Sequence, residues 1–230
     1  MLEALKAAVW QANMALPRHG LVTLTWGNVS AIDDTRQYFV IKPSGVQYDD
    51  LRPDDMVVVR VEHGTVVEGS LRPPSDTPSH RVLYQAFAAI GGVVHTHSAW
   101  ATAWAQAGMD LPVLGTTHAD FARGPVPCTR DLTQAEVDAA FEANTGRTIV
   151  EAFAERSPEE VPAVLVRGHG PFCWGKDAMD AVKNAIILEE VAKIAHRTLA
   201  LNPKAALNEA IGSRHFSRKH GPNAYYGQRT

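Results

Sequence analysis

His95-Thr96-His97 is the sharpest chemical signal in the chain. On a strand, residues two apart point to the same face, so these two imidazoles converge closely enough to share one ion. The preceding Gly91-Gly92-Val93-Val94 is apolar and buries that strand. Two histidines on a buried face are costly unless bonded or neutral. Taken alone, the tripeptide is equally well explained as a pair of hydrogen-bonded core histidines. His169 shifts the balance. It follows an apolar run, 161–167 (VPAVLVR), and sits in a Gly-His-Gly turn that can present a side chain at a strand's end. Three histidines after two buried strands match an open catalytic metal site with three or four protein ligands. Asp76, in PPSDTPSH (73–80), is the candidate for the fourth. Its competing role is to cap the helix that begins near Pro78.

Three hydroxyl- or glycine-bearing turns form a second set: TWGNVS (25–30), KPSG (42–45) and PPSD (73–76). Each ends a strand or precedes a helix, and each offers backbone N–H groups and hydroxyls that suit phosphate. Plain turns explain any one of them as readily. Neither GxxxxGK[ST] nor GxGxxG occurs, which leaves nucleotide binding without support.

These side chains need a rigid frame, and the pattern of apolar residues supplies one. Leu2, Leu5, Val9 and Ala12 form the stripe of a first helix, ended by Pro17 to Gly20. Residues 21–32 and 38–42 read as strands joined by a turn at Asp33-Asp34. Segments 56–61 and 64–68 suggest a further hairpin turning at His63-Gly64. The period then becomes helical over 78–90, with Pro78 in the first turn. A strand over 93–98, a helix over 99–107, a strand over 161–167 and a long helix from about 177 to 201 follow. Hairpins with segregated helices argue an α/β single domain: a central, mostly antiparallel sheet covered by helices.

Composition narrows the function. At 230 residues without a Gly/Ser/Pro-rich linker, the chain reads as one domain. A core of that size needs no structural metal, so any metal is functional. The formal net charge of −3 leaves no basic field for nucleic acid. Two cysteines, Cys128 and Cys173, make neither a disulfide framework nor a CxxC zinc site, which fits a reducing cytoplasm. The amphipathic start MLEALKAAVWQAN is unlike a signal peptide, and no run of ~18 apolar residues suggests a membrane span.

Several segments are familiar together: LVTLTWGNVSAID (21–33), FVIKPSGV (39–46), DDMVVV (54–59), SDTPSHR (75–81), GGVVHTHS (91–98), GTTHAD (115–120), PVPCTR (125–130), HGPFCWG (169–175) and RKHGPNAYYGQ (218–228). From Leu2 to Gln228 the chain closely resembles the class II aldolase/adducin-type family. Within it, GTTHAD and AYYGQ mark the L-ribulose-5-phosphate 4-epimerases. The resemblance implies a divalent metal, usually zinc with manganese or cobalt as alternatives, on Asp76, His95, His97 and His169. It implies phosphate binding at Gly27, Asn28, Ser44, Gly45 and the pair 74–75. There the chain departs from the family, with Pro74-Ser75 where Ser-Ser is usual. Acid/base roles fall on Asp120 and Tyr226. The implied assembly is a homotetramer with active sites between subunits, the tail from about 203 to 230 reaching the neighbour's site. The implied substrate is a phosphorylated ketopentose, met in both arabinose and ascorbate breakdown.

The chemistry explains these needs. In a 2-ketopentose phosphate the acidic hydrogens lie at C1 and C3, so proton abstraction cannot invert C4. Transient oxidation by a nicotinamide has no fingerprint here. Breaking and remaking C3–C4 remains, with the enediolate charge stabilised by a divalent cation and the C4 oxygen served by one acid/base group on each face. Three other readings compete. A sugar-phosphate aldolase would share the metal site, and Asp120 with Tyr226 favours the epimerase. A zinc hydrolase lacks HExxH. A non-catalytic adducin-like module has no need of intact histidines.

Overall fold

The computed structural model describes residues 2–221 and 224–225. Its strands are β1 (Asn28–Ile32), β2 (Tyr38–Ile41), β3 (Val57–Arg60), β4 (Val66–Glu68), β5 (Gly92–His95), β6 (Ala163–Val166) and β7 (Gly170–Gly175). They form one sheet in the order β4-β3-β2-β1-β5-β7-β6, every neighbour antiparallel. The helices are α1 (Glu3–Arg18), α2 (Thr77–Ala86), α3 (Ala99–Ala107), α4 (Thr116–Ala119), α5 (Gln134–Ala152), α6 (Ala178–Leu201) and α7 (Glu209–His220).

Helices cover both faces of the sheet. Along β7, Phe172 and Trp174 meet His80 and Phe87 of the α2 segment, and Trp174 also meets Phe153 after α5. Cys173 between them points the other way, toward Glu189 of α6. Double coverage explains why β1, β5 and β6 are buried at every position and lack a polar/apolar alternation. α1 and α6 pack together on one face, and α2 packs against α5 on the other. Asn13 of α1 completes the centre: it donates to Val29 O (3.1 Å) and accepts from Val29 N–H (2.9 Å). β2 pairs with β1 only from Ser30 onward, so the amide takes over where the ladder ends.

The frame agrees with the sequence reading at the β1–β2 and β3–β4 hairpins, α2, α3, β6 and α6, and departs from it elsewhere: β7 and α4 lie where no element was expected, and four further differences stand out. The strand expected over 21–32 begins only at Asn28; residues 21–27 form an irregular loop with Leu24 in the left-handed region (φ 53°). The strand expected over 93–98 ends at His95. α5 was not anticipated, because its buried face is Asn144, Thr145 and Thr148, with Ile149 as the large apolar residue. α7 occupies what reads in sequence as a polar tail, and none of its residues is buried. Among the described residues, no helix is long and apolar enough to cross a membrane.

Candidate active site

β5 carries His95 to the sheet's end, where it pairs with Asn28 of β1 and Phe172 of β7. His97 lies two residues beyond, outside the strand. Its convergence on His95 therefore comes from the chain's path and not from strand parity. His169 sits at the tip of the β6–β7 hairpin, where Gly168 takes a left-handed conformation (φ 69°) and His169 N–H bonds to Val166 O (3.0 Å). A Cβ at Gly170 would lie 2.7 Å from Thr96 O and 3.4 Å from His97 Cδ2, so only glycine lets the hairpin tip close on the 95–97 segment. The Nε2 atoms of His95 and His97 stand 3.2 Å apart. One ring nitrogen from each of the three histidines lies within 4.8 Å of the others. Two nitrogens sharing a tetrahedral zinc at ~2.0–2.1 Å stand roughly 3.3 Å apart, so the donor set fits a small divalent cation.

The protonation states fit too. Burial pushes His95 down to about 3 despite the opposing field of Asp76. Burial also lowers His97, and burial with the His97 neighbour lowers His169. All three are therefore neutral at ordinary pH, as metal ligation requires. His95 Nδ1–H donates to Pro171 O (3.0 Å), which leaves the Nε2 lone pair facing the cluster. Phe172 stacks on the same ring, 4.2 Å between centroids, and holds its plane. His169 Nδ1 is buried without a hydrogen-bond partner among the described residues.

Asp76 occupies the N-cap position of α2, yet its side chain makes no capping bond. Its oxygens accept instead from Asn28 Nδ2, at 2.9 and 3.1 Å. Burial opposes its ionisation, but His80, His95 and Asn28 together hold the carboxyl below the usual carboxylate range. The tight nitrogen cluster consists of the histidines alone, and Asp76 stands beside it.

A cavity of about 570 Å³ opens over these groups. Gly27, Asn28, Ser44, Gly45, Pro74, Ser75, Asp76, His95, His97 and His169 all line it. Gly27 is needed where the 21–27 loop crosses the strand end: φ is 89° and a Cβ would lie 2.9 Å from His95 O.

Lys42 also lines this cavity, and sequence reasoning passed over it. It is 1% exposed. Its Nζ donates to Val46 O (2.8 Å) and Pro43 O (3.3 Å) and lies 4.9 Å from the Tyr48 ring centre. Among the described residues no carboxylate pairs with it, and burial lowers its pKa to about 8. A lysine directly after the apolar run Phe39-Val40-Ile41, opening a hydroxyl-bearing turn, was the available signal. Phe141, Glu142 and Thr145 complete the wall, delivered by α5 where it kinks at Ala140 (φ −165°, ψ 74°).

Asp120 does not line the cavity. It follows α4 and is gripped by α7: Arg218 donates to both carboxylate oxygens (3.0 and 2.6 Å), and His215 Nδ1–H donates to one (3.1 Å). Burial works against its ionisation, but Arg218 and His215 hold its carboxyl below the usual range. His220 Nε2–H donates to Asp120 O (2.9 Å). Tyr226 lies outside the described residues; Tyr225 beside it bonds through its N–H to Arg218 O (3.0 Å).

Residues 7–196 match the model of the Class II Aldolase and Adducin N-terminal domain, and the chain belongs to that family. Its relatives are more particular. L-ribulose-5-phosphate 4-epimerase UlaF of Salmonella paratyphi C and that of Salmonella typhi are each 56% identical over 229 residues, 99% of this chain and 100% of theirs. An L-fuculose 1-phosphate aldolase superposes with a TM-score of 0.77 at 25% identity, covering 93% of this chain and 96% of its own. The L-fuculose-1-phosphate aldolase of Thermus thermophilus gives 0.69 at 28%, covering 89% and 98%.

Proposed function

We propose that this chain is an L-ribulose-5-phosphate 4-epimerase, interconverting L-ribulose 5-phosphate and D-xylulose 5-phosphate by breaking and remaking C3–C4. One observation carries the reading: 56% identity to relatives of that name, maintained over 99% of the chain. His95, His97 and His169, with Asp76 beside them, would hold the divalent cation, zinc by the donor set. Bound there, such an ion supplies Lewis-acid stabilisation of the negative charge that develops when C3–C4 opens. Lys42, Ser44, Ser75 and the backbone N–H groups near Gly45 and Asn28 would take the phosphate, the lysine as a point charge and the rest as directional donors. Pro74 offers no backbone donor, and the remaining groups serve without it.

Opening C3–C4 leaves an aldehyde, and the face that C3 then attacks sets the C4 configuration and the side toward which the C4 oxygen points, where its proton must be exchanged. Asp120, acting through His215, and Tyr226 would serve opposite faces. Asp120 is tied by Arg218 on both oxygens, and a carboxylate so held is a weak base. The geometry favours His215 as the proton carrier that Asp120 orients through Nδ1. Because Asp120 lies off the cavity, these groups would come from a neighbouring copy in a homotetramer. Exposed Trp26 (54%) and Phe141 (41%) line the cavity, and Leu24 (66%) lies in the adjoining loop; all three support that assembly. A cytoplasmic setting fits the free cysteines.

Incubation of zinc-loaded protein with L-ribulose 5-phosphate tests the reading. Accumulation of D-xylulose 5-phosphate to a fixed ratio is expected. Release of the two fragments without epimer would instead make the chain an aldolase, as the names of its structural neighbours suggest for them.

A further inference from the structure

His80 lies one helical turn below Asp76 on α2 and is completely buried. Its Nδ1 is 2.8 Å from Ser30 Oγ on β1, and Ser30 Oγ is 2.8 Å from the Tyr84 hydroxyl one turn further along α2. On the other side, His80 Nε2 has no hydrogen-bond partner of normal length among the described residues. Its nearest carboxylate oxygen is Asp76 Oδ2, at 3.5 Å. A buried, unpartnered imidazole nitrogen aimed at a carboxylate calls for explanation.

Donor and acceptor chemistry fixes the direction of this chain. Asp76 is ionised and can only accept. His80 must then carry its proton on Nε2, which makes Nδ1 an acceptor. Ser30 O–H donates to that Nδ1, and Ser30 Oγ in turn accepts from Tyr84 O–H. The opposite tautomer would set an imidazole lone pair against the Asp76 oxygen. One set of protons therefore runs from Tyr84 through Ser30 and His80 toward Asp76. Asn28 Nδ2 holds the same carboxylate from the β1 side.

We infer that His80, oriented by Ser30 and Tyr84, is a positioning residue that presents Asp76 to the divalent cation. The inference rests on the metal reading of the site. It assigns a task to three buried polar side chains, Ser30, His80 and Tyr84, that neither touch the cavity nor take part in the proposed chemistry. Outer partners of this kind typically tune metal affinity about 10–100-fold.

The test is the zinc dissociation constant of the full chain, measured by competition with a chromophoric chelator, alongside the thermal midpoint of the metal-free protein. His80→Phe keeps an aromatic ring against Phe172 and should weaken zinc by about 10–100-fold. His80→Gln retains an N–H near the Nε2 position and should recover part of that loss. Tyr84→Phe removes only a hydroxyl remote from the cation and should weaken zinc measurably but by a smaller factor than His80→Phe. A merely structural role would lower the metal-free midpoint in each variant and leave the zinc constant unchanged, which would overturn the inference. If His80→Phe does not fold, Tyr84→Phe decides on the same criterion. Failure of the wild-type protein to bind zinc, or equal binding by His97→Asn, would sink the metal reading itself. Tight wild-type binding with unaltered His80→Phe and Tyr84→Phe constants would sink the positioning role alone.

Discussion

Lys42 combines near-complete burial with a pKa brought down to about 8, and both follow from the same loss of water. The folded-state pKa lies below the unfolded value of ~10.4. The unfolded chain therefore binds more protons between about 8 and ~10.4, and this residue's contribution to stability rises with pH across that window. Substrate binding runs the other way, because a phosphate draws on the charged form. KM for the sugar phosphate should climb once pH passes about 8, and Lys42→Met should raise KM at neutral pH by about 10–100-fold while flattening that climb. A wild-type KM constant through that range would remove Lys42 from phosphate recognition. Pro74 is a second test at this scale. Pro74→Ser restores a hydroxyl and a backbone donor at the cavity wall, and one neutral hydrogen bond is worth ~0.5–1.5 kcal/mol. Isothermal titration with substrate should give slightly tighter or unaltered binding; a large loss would place the phosphate elsewhere.

Among the elements, the hairpins and amphipathic helices were legible because their apolar spacing is regular. The histidine cluster was legible because its histidines follow apolar runs, 91–94 and 161–167, where such residue types are rare. α5 was not, since it buries threonines and an asparagine against α2 and its kink at Ala140 breaks the helical period. α7 was hidden for a different reason. It has no buried residue, and it docks through Asp120, a contact between side chains nearly a hundred positions apart that no local pattern announces. The loop 21–27 was misread as strand because two of its apolar residues, Leu24 and Trp26, face outward and enter no sheet. The α4–α7 contact carries its own prediction. Asp120→Asn and Tyr226→Phe should each retain zinc and fold while losing about 10²–10⁴-fold in epimerisation. At least one should still form the enediolate, detectable as slow aldol condensation of the separated fragments. Near-normal turnover by Tyr226→Phe would shift the assignment toward an aldolase.

At the scale of the whole molecule, the cavity and the Asp120 cluster are two parts of one proposed chemistry that a single chain does not bring together. A tetramer joining them should respond to subunit mixing. Chains bearing His97→Asn and chains bearing Tyr226→Phe, inactive alone, should recover part of the activity after exchange. Absence of recovery, with mixed tetramers verified by mass, would refute shared sites. The most direct measurement follows the reaction itself in heavy water. Chelator-treated protein should be inactive toward L-ribulose 5-phosphate. Adding zinc should restore formation of D-xylulose 5-phosphate whose C4 carries no deuterium, because C3–C4 opens and closes without touching that hydrogen. Deuterium at C4, or full activity in the metal-free protein, would contradict cation-assisted carbon–carbon cleavage.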